Sequence, residues 1–222
     1  VKSSSLNEPT LKDEVLARMQ AREKDVWTPV DFVDLAGRGA VDKVLQRLVK
    51  AGVIRRIERG LYDYPRTNTL TGRPRVPDYR AVIAAVARRD QARTVIDGMT
   101  AANELGLTTA LPAKIEVLVD ARLRPITLGK QVIRFRQAAP SRLYWAGRPA
   151  MRVVQALHWM KDTMQTEQDK EVVLSRLALH LAHPSKGKEL QDDLRNGIHA
   201  MPTWMQALVV RLIRRREEGA AQ

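Results

Sequence analysis

The stretch from Thr28 to Tyr64 constrains the fold most, because its punctuation matches two helices across a tight turn followed by a hairpin. Thr28-Pro29 opens a first helix running to Ala36. Threonine is a good N-cap, proline suits the first helical position, and Asp31 is favoured near the positive end of the helix dipole. Val30, Phe32, Val33 and Leu35 are expected to pack inward. Gly37-Arg38-Gly39 then reads as a turn, and a second helix is predicted from Ala40 to Ala51. Beyond Gly52, residues 53–64 form a short basic hairpin in which Gly60 supplies the permissive backbone and Ile54, Ile57 and Leu61 hold the ribbon down. A winged helix-turn-helix of this kind presents its second helix to a DNA major groove.

The second helix can be read by angle, at about 100° per residue. Val41, Val44, Leu45 and Leu48 make one apolar stripe. Gly39, Lys43, Gln46 and Lys50 line the opposite side, with Asp42 and Arg47 at its flanks and Arg38 near its start. Glutamine pairs with adenine, and arginine or lysine with guanine, at major-groove base edges. Lys43, Gln46 and Arg47 are therefore the expected base readers, with Arg38 and Lys50 beside them. Arg55, Arg56 and Arg59 of the wing are expected on phosphates or in the minor groove. A simply solvated face would carry more acids.

Charge sorting agrees with that placement. The chain holds 38 Lys and Arg against 25 Asp and Glu, for a net charge of +13, which favours a polyanionic partner. Residues 1–34 are slightly acidic, whereas residues 35–66 carry 8 basic against 3 acidic side chains and residues 67–148 carry 14 against 6. The positive charge thus begins at the second helix of the motif. The absence of cysteine excludes disulfides and thiolate metal sites and suits a reducing cytoplasm. No apolar run approaches the roughly 20 residues needed to span a bilayer, so no membrane partner is expected. The opening Val1-Lys2-Ser3-Ser4-Ser5 lacks the apolar core of a secretion signal.

Outside the motif, Leu11, Val15, Leu16 and Met19 predict a helix after Pro9 that backs it. Pro65 to Pro77 reads as a linker, and Gly72-Arg73-Pro74-Arg75 within it could lie extended in a minor groove. A separate α+β domain is expected beyond it. Helices are predicted over residues 79–90, 100–105, 150–164, 168–182, 186–196 and 203–216. Strands are predicted over residues 94–96, 113–119, 126–128 and 131–136, with Leu143-Tyr144-Trp145 as an edge strand. The reading is an α+β protein: a winged helix-turn-helix domain over residues 1–66, a linker over 67–77, and a larger mixed domain over 78–222 ending in a helical bundle.

Enzyme chemistry finds little support. A nucleotidyltransferase needs a Gly-Ser turn and spaced carboxylates for Mg²⁺, and neither occurs. His180 and His183 lie three apart without a third ligand, and Asp192-Asp193 and Glu217-Glu218 are adjacent and diverge on a helix. No glycine pattern for a nucleotide cofactor is present. The expectation is no catalytic residue, no metal and no cofactor. Trp159, Met160, Met164, Met201, Trp204 and Met205 read as core, and Arg214-Arg215-Arg216 as a solvated helix end.

Residues 40–62, with Ala40-Val41, Leu45, Arg47-Leu48, Gly52-Val53-Ile54-Arg55-Arg56 and Arg59-Gly60-Leu61-Tyr62, resemble the winged N-terminal domain of AbiEi-type antitoxins of bacterial AbiE toxin–antitoxin systems. Ala101-Ala102-Asn103-Glu104-Leu105-Gly106-Leu107-Thr108-Thr109, then Leu111-Pro112-Ala113 and Ile133-Arg134-Phe135-Arg136, extend the likeness over most of residues 26–148. It departs at Ile96-Asp97-Gly98, where a Pro-Ser-Gly-like turn is expected. The resemblance implies a protein that binds double-stranded DNA, with an inverted-repeat operator the expected target, and represses its own promoter. It also implies neutralisation of a cognate nucleotidyltransferase toxin through the C-terminal domain, without a stable complex. An ordinary winged-helix repressor with a ligand- or partner-sensing C-terminal domain is the alternative reading.

Overall fold

The computed structural model describes residues 9–69, 72–110 and 114–220 of an α+β protein. The opening Val1–Ser5 segment, Leu70-Thr71 of the expected linker and Leu111-Pro112-Ala113 lie outside the described residues. The chain divides into two compact units, Val1–Ala92 and Arg93–Gln222.

In the first unit, helix α1 (Leu11–Ala21) opens on a capping box. The Thr10 amide donates to Asp13 at 3.0 Å, and the Asp13 amide donates back to the threonine hydroxyl. Its Val15 and Met19 are buried. Strand β1 (Val26–Trp27) leads into the motif. The helix expected from Thr28 to Ala36 is instead a single 3₁₀ turn, Pro29–Phe32, followed by further turns. With about three residues per turn, positions i and i+3 eclipse. Pro29 and Phe32 therefore share the buried side, while Val30 and Val33, expected inside, share the outer one and are 43% and 51% exposed.

Helix α2 (Arg38–Lys50) begins two residues before its expected start. Gly37 is its N-cap and neither Gly37 nor Gly39 has positive φ, so the glycines start the helix and do not make the turn. Val41, Leu45 and Leu48 are buried with Val15, Met19, Trp27, Phe32, Ile54 and Tyr62. Burying a leucine-sized side chain contributes roughly 1.5–3 kcal/mol, so this stripe fixes which face of α2 points inward.

The hairpin expected after Gly52 follows as strands β2 (Arg55–Glu58) and β3 (Leu61–Asp63), joined through Gly60 at φ 72°. Strand β3 is central in an antiparallel sheet of order β1-β3-β2, and the register shifts at Ile57, between the pairs Arg56–Tyr62 and Glu58–Leu61. Residues 66–68 pair back with residues 72–75. The Arg75 amide donates to the Arg66 carbonyl at 2.7 Å, and Thr67 and Pro74 form a bridge. This folds the Gly72–Arg75 piece back and removes the extended arm. Helix α3 (Tyr79–Asp90), expected to head the second domain, packs on β1 and β3 of the first unit, because Arg88 reaches Asp31 and the Val26 carbonyl.

The second unit holds a four-stranded sheet of β4 (Thr94–Ile96), β5 (Lys114–Val119), β6 (Ile126–Leu128) and β7 (Gln131–Gln137), in the order β4-β5-β7-β6. The β5–β7 pair is parallel and the others are antiparallel. Its register places Ile115 beside Ile133 and Val117 beside Phe135 on one face. Helix α4 (Gly98–Glu104) starts at Asp97, whose carboxylate accepts from the Thr100 amide and hydroxyl and from the Glu116 amide. Helices α5 (Met151–Met160), α6 (Glu167–Leu181), α7 (Gly187–Asn196) and α8 (Thr203–Ala220) complete the unit. Helices α4 and α5 approach closely through Gly98, where a Cβ would lie 2.6 Å from the Gln155 carbonyl oxygen.

The expected edge strand at Leu143–Trp145 is absent, and Pro140–Leu143 form a 3₁₀ turn with proline at its first position. Trp159 is 43% exposed, so it is not the core residue its neighbours suggested. Among the described residues no helix is long and apolar enough to cross a membrane.

Candidate nucleic-acid interface

The inward stripe of α2 leaves a defined outward face. Lys43, Gln46, Arg47 and Lys50 are all exposed and fall three or four residues apart, so they are neighbours on one side of the helix. None of the four makes an ion pair or side-chain hydrogen bond among the described residues. The surface beside Gly39 is open, with nothing within 4 Å of where a Cβ would stand. Arg47 and Lys50 sit in the last turn, where cations complement the negative end of the helix dipole. Arg38 is different: its Nε bonds both Asp42 carboxylate oxygens at 3.1 Å, one turn on.

The arginines of the β2–β3 hairpin separate into two kinds. Arg56 and Arg59 are exposed and their guanidinium groups make no ion pair or hydrogen bond among the described residues, and the Arg59 carbonyl accepts from Arg89 at 2.6 Å, tying the tip of the hairpin to α3. Arg55 faces inward. Its guanidinium binds Asp63 bidentately at 2.9 and 2.5 Å and also donates to the Arg75 carbonyl at 2.9 Å. Asp63 is 8% exposed at its side chain, so Arg55 ties the hairpin to Arg75, and its guanidinium is occupied within the unit where a phosphate or minor-groove contact was expected of it.

Ion pairs elsewhere in the unit draw the acids away from the α2 face. Arg18 grips Asp34 at 2.7 and 2.8 Å and the Asp31 carbonyl at 2.8 Å. The hydrogen bond from Arg18 holds the Asp34 carboxyl below its usual range and raises the guanidinium in turn. Asp31 is half-buried, and burial alone would raise its pKa. Arg88 and the Thr28 amide and hydroxyl outweigh burial and lower it. Arg22 pairs with Asp25 and Arg89 with Asp90. Every one of these partners is an arginine, and no lysine of the unit joins an ion pair among the described residues. Arg88 lies 57 residues from Asp31, and no local sequence signal foretold that bond.

The groups weighed for chemistry in the second unit have separate structural partners. His180 Nε2 lies 3.1 Å from the Leu105 carbonyl, while His183 Nδ1 contacts Ser185. Asp193 binds Arg148 and the Ala150 amide, and Glu217 binds Arg195. Of the terminal arginine run, Arg215 is held by Glu171 at 2.8 Å. No group of three or more candidate metal ligands occurs among the described residues.

No curated protein matches this chain. Residues 14–180, from the first turn of α1 to the last turn of α6, match a family of unknown function (DUF6088), and the chain belongs to that family.

Proposed function

We propose that this chain is a sequence-specific, double-stranded-DNA-binding protein that reads a major groove through α2 and positions itself on the backbone through its wing. The observation that carries the reading is the outward face of α2. Two lysines, an arginine and a glutamine stand exposed there without an ion pair or side-chain hydrogen bond among the described residues, whereas Asp25, Asp31, Asp34 and Asp63 elsewhere in the unit are each taken up by an arginine. Such a face meets the two needs of a reader: donors and acceptors for base edges, and cations that displace counterions from phosphates. Lys43, Gln46 and Arg47 take the base-edge role, Lys50 lies beside them, and Arg56 and Arg59 take the backbone. Arg38 and Arg55 support the scaffold. The 3₁₀ turn with α2 and the β2–β3 ribbon then serve as a winged helix-turn-helix with a shortened first helix.

The likeness to AbiEi-type antitoxins extends the proposal. The protein represses its own operator in the cytoplasm and, through its second unit, neutralises a cognate nucleotidyltransferase toxin without enzymatic activity of its own. That second activity rests on the resemblance alone.

Footprinting on the DNA upstream of the protein's own gene tests the first part. The combined Lys43→Ala, Gln46→Ala and Arg47→Ala variant should lose its protected site while staying folded, since each good base contact contributes about 1–3 kcal/mol of discrimination. An unchanged footprint would remove α2 as the reading helix. Co-expression with the neighbouring gene's product tests the second part: rescue of growth is expected, and failure of rescue leaves only the DNA-binding protein.

A further inference from the structure

We propose that the cleft in the second unit bounded by Arg142, Tyr144, Trp145, Gln155, His158 and His199 is a binding site for a small phosphate-bearing ligand of mononucleotide size. The cleft has a volume of about 980 Å³, at the upper end of the roughly 300–1,000 Å³ usual for small-molecule sites.

Its chemistry is one-sided. Among the described residues no carboxylate lines it, although the chain carries 25 acidic residues. The side chains of Arg142, Gln155, His158 and His199 make no hydrogen bond or ion pair among the described residues. The other arginine at the rim, Arg93, is already held by Asp120 at 2.8 Å. Arg142 is therefore the free guanidinium, a planar fork that suits phosphate oxygens. Each imidazole offers at least one ring N–H donor, and Gln155 adds an amide.

The wall behind these groups is held in place. Tyr144 and Trp145 meet edge to face at 5.0 Å, and the Arg148 guanidinium lies over both rings at 4.5 and 4.9 Å. Arg148 is itself fixed by Asp193 at 2.7 Å. Trp145 seats against Gly197, where a Cβ would stand 2.2 Å from the indole ring. His199 packs edge-on against Tyr144 at 5.8 Å, and His158 against Trp204 at 6.0 Å. Both imidazoles are thus held by ring contacts, while their nitrogens make no hydrogen bond among the described residues. Burial, with Arg142 and Lys161 nearby, lowers the His158 pKa, an environment that an incoming anion would relieve.

A second cleft of the same unit provides the contrast. Its Arg148, Arg152 and His180 are taken by Asp193, Glu104 and the Leu105 carbonyl, and Glu189 lines it.

The chain has four histidines, two in each cleft, so imidazole NMR resonances of the full protein read the two sites separately. Titration with AMP should move His158 and His199 and leave His180 and His183 in place. Inorganic phosphate should compete, and adenosine, which lacks the phosphate, should move neither pair. Arg142→Gln, an exposed substitution, should weaken AMP at least about tenfold, as loss of a charge-assisted hydrogen bond implies. The α2 triple variant should bind AMP as tightly as the parent, which separates this site from the DNA-binding reading. The proposal is overturned by movement of His180 and His183 alone, by equal shifts with adenosine, by unchanged affinity in Arg142→Gln, by loss of AMP binding in the α2 variant, or by no shift at millimolar AMP.

Discussion

Arg55 and Arg56 are adjacent in the chain, carry the same charge and belong to the same strand, yet the structure assigns them opposite consequences. Replacing Arg55 by alanine removes two bonds to Asp63 and one to the Arg75 carbonyl, and leaves a carboxylate that is only 8% exposed without its counterion. Stripping one partner from a fully buried pair costs about 3–5 kcal/mol. The Arg55 side chain is 32% exposed, so water reaches this pair, and the expected loss is discounted to about 1–3 kcal/mol. Arg56→Ala removes an exposed side chain without an ion pair and should alter stability by no more than about 0.5 kcal/mol. Binding should follow the opposite order at first contact. Arg56→Ala should reduce the slope of log affinity against log salt by about 0.9, the effect of one phosphate contact, whereas Arg55→Ala should act on DNA only as far as the wing loosens. Denaturant unfolding of both variants, with fluorescence-anisotropy binding at several salt concentrations, separates the two. A fully stable Arg55→Ala protein, or an Arg56→Ala protein with an unchanged salt slope, would refute the assignment.

Two further substitutions probe the scaffold. Gly98→Ala places a methyl 2.5 Å from the Trp159 Cβ and 2.6 Å from a backbone oxygen of α5. It should cost about 1–3 kcal/mol in thermal unfolding because the backbone side cannot yield. Asp31→Asn should flatten the acid limb of the stability curve. The Asp31 pKa is lowered on folding, so its contribution is complete above the unfolded value of about 3.9 and is lost as pH falls through the lowered native one. Unfolding midpoints between neutral and strongly acidic pH, compared for parent and variant, check this; parallel curves would show that the Arg88 bond is not felt.

Much of the first unit was legible because its signals are local. The Val41, Leu45 and Leu48 stripe and the Gly60 turn each lie within one helix or hairpin, and α2 exposes the face that helical angles assigned to it. What was misread depended on partners distant in sequence or on helical pitch. Val30 and Val33 look like core at a pitch of 3.6 and become surface at a pitch of three. Arg55 looks like any wing arginine until the returning 66–75 loop and β3 supply Asp63 and a carbonyl. The same holds for α3, whose place beside β1 depends on Arg88 reaching Asp31. In the second unit, the strands were visible as β-branched runs, but the Arg142–His158–His199 cleft joins residues up to 57 positions apart, and spacing carries no trace of it.

The use of arginine in every ion pair among the described residues of the first unit has a consequence for covalent regulation. A guanidinium engages both oxygens of a carboxylate, whereas an ammonium acts as a single strongly hydrated point charge. The unit therefore keeps its architecture in arginine and places Lys43 and Lys50, amines that enter no pair among its described residues, on the outward side of α2. Acetylation neutralises amines and leaves guanidinium groups untouched. A modification of that kind would remove the two lysine charges from the face proposed to meet DNA, leaving Arg47, while every internal clasp stayed closed, so affinity could be switched reversibly in a protein whose stability hardly changes.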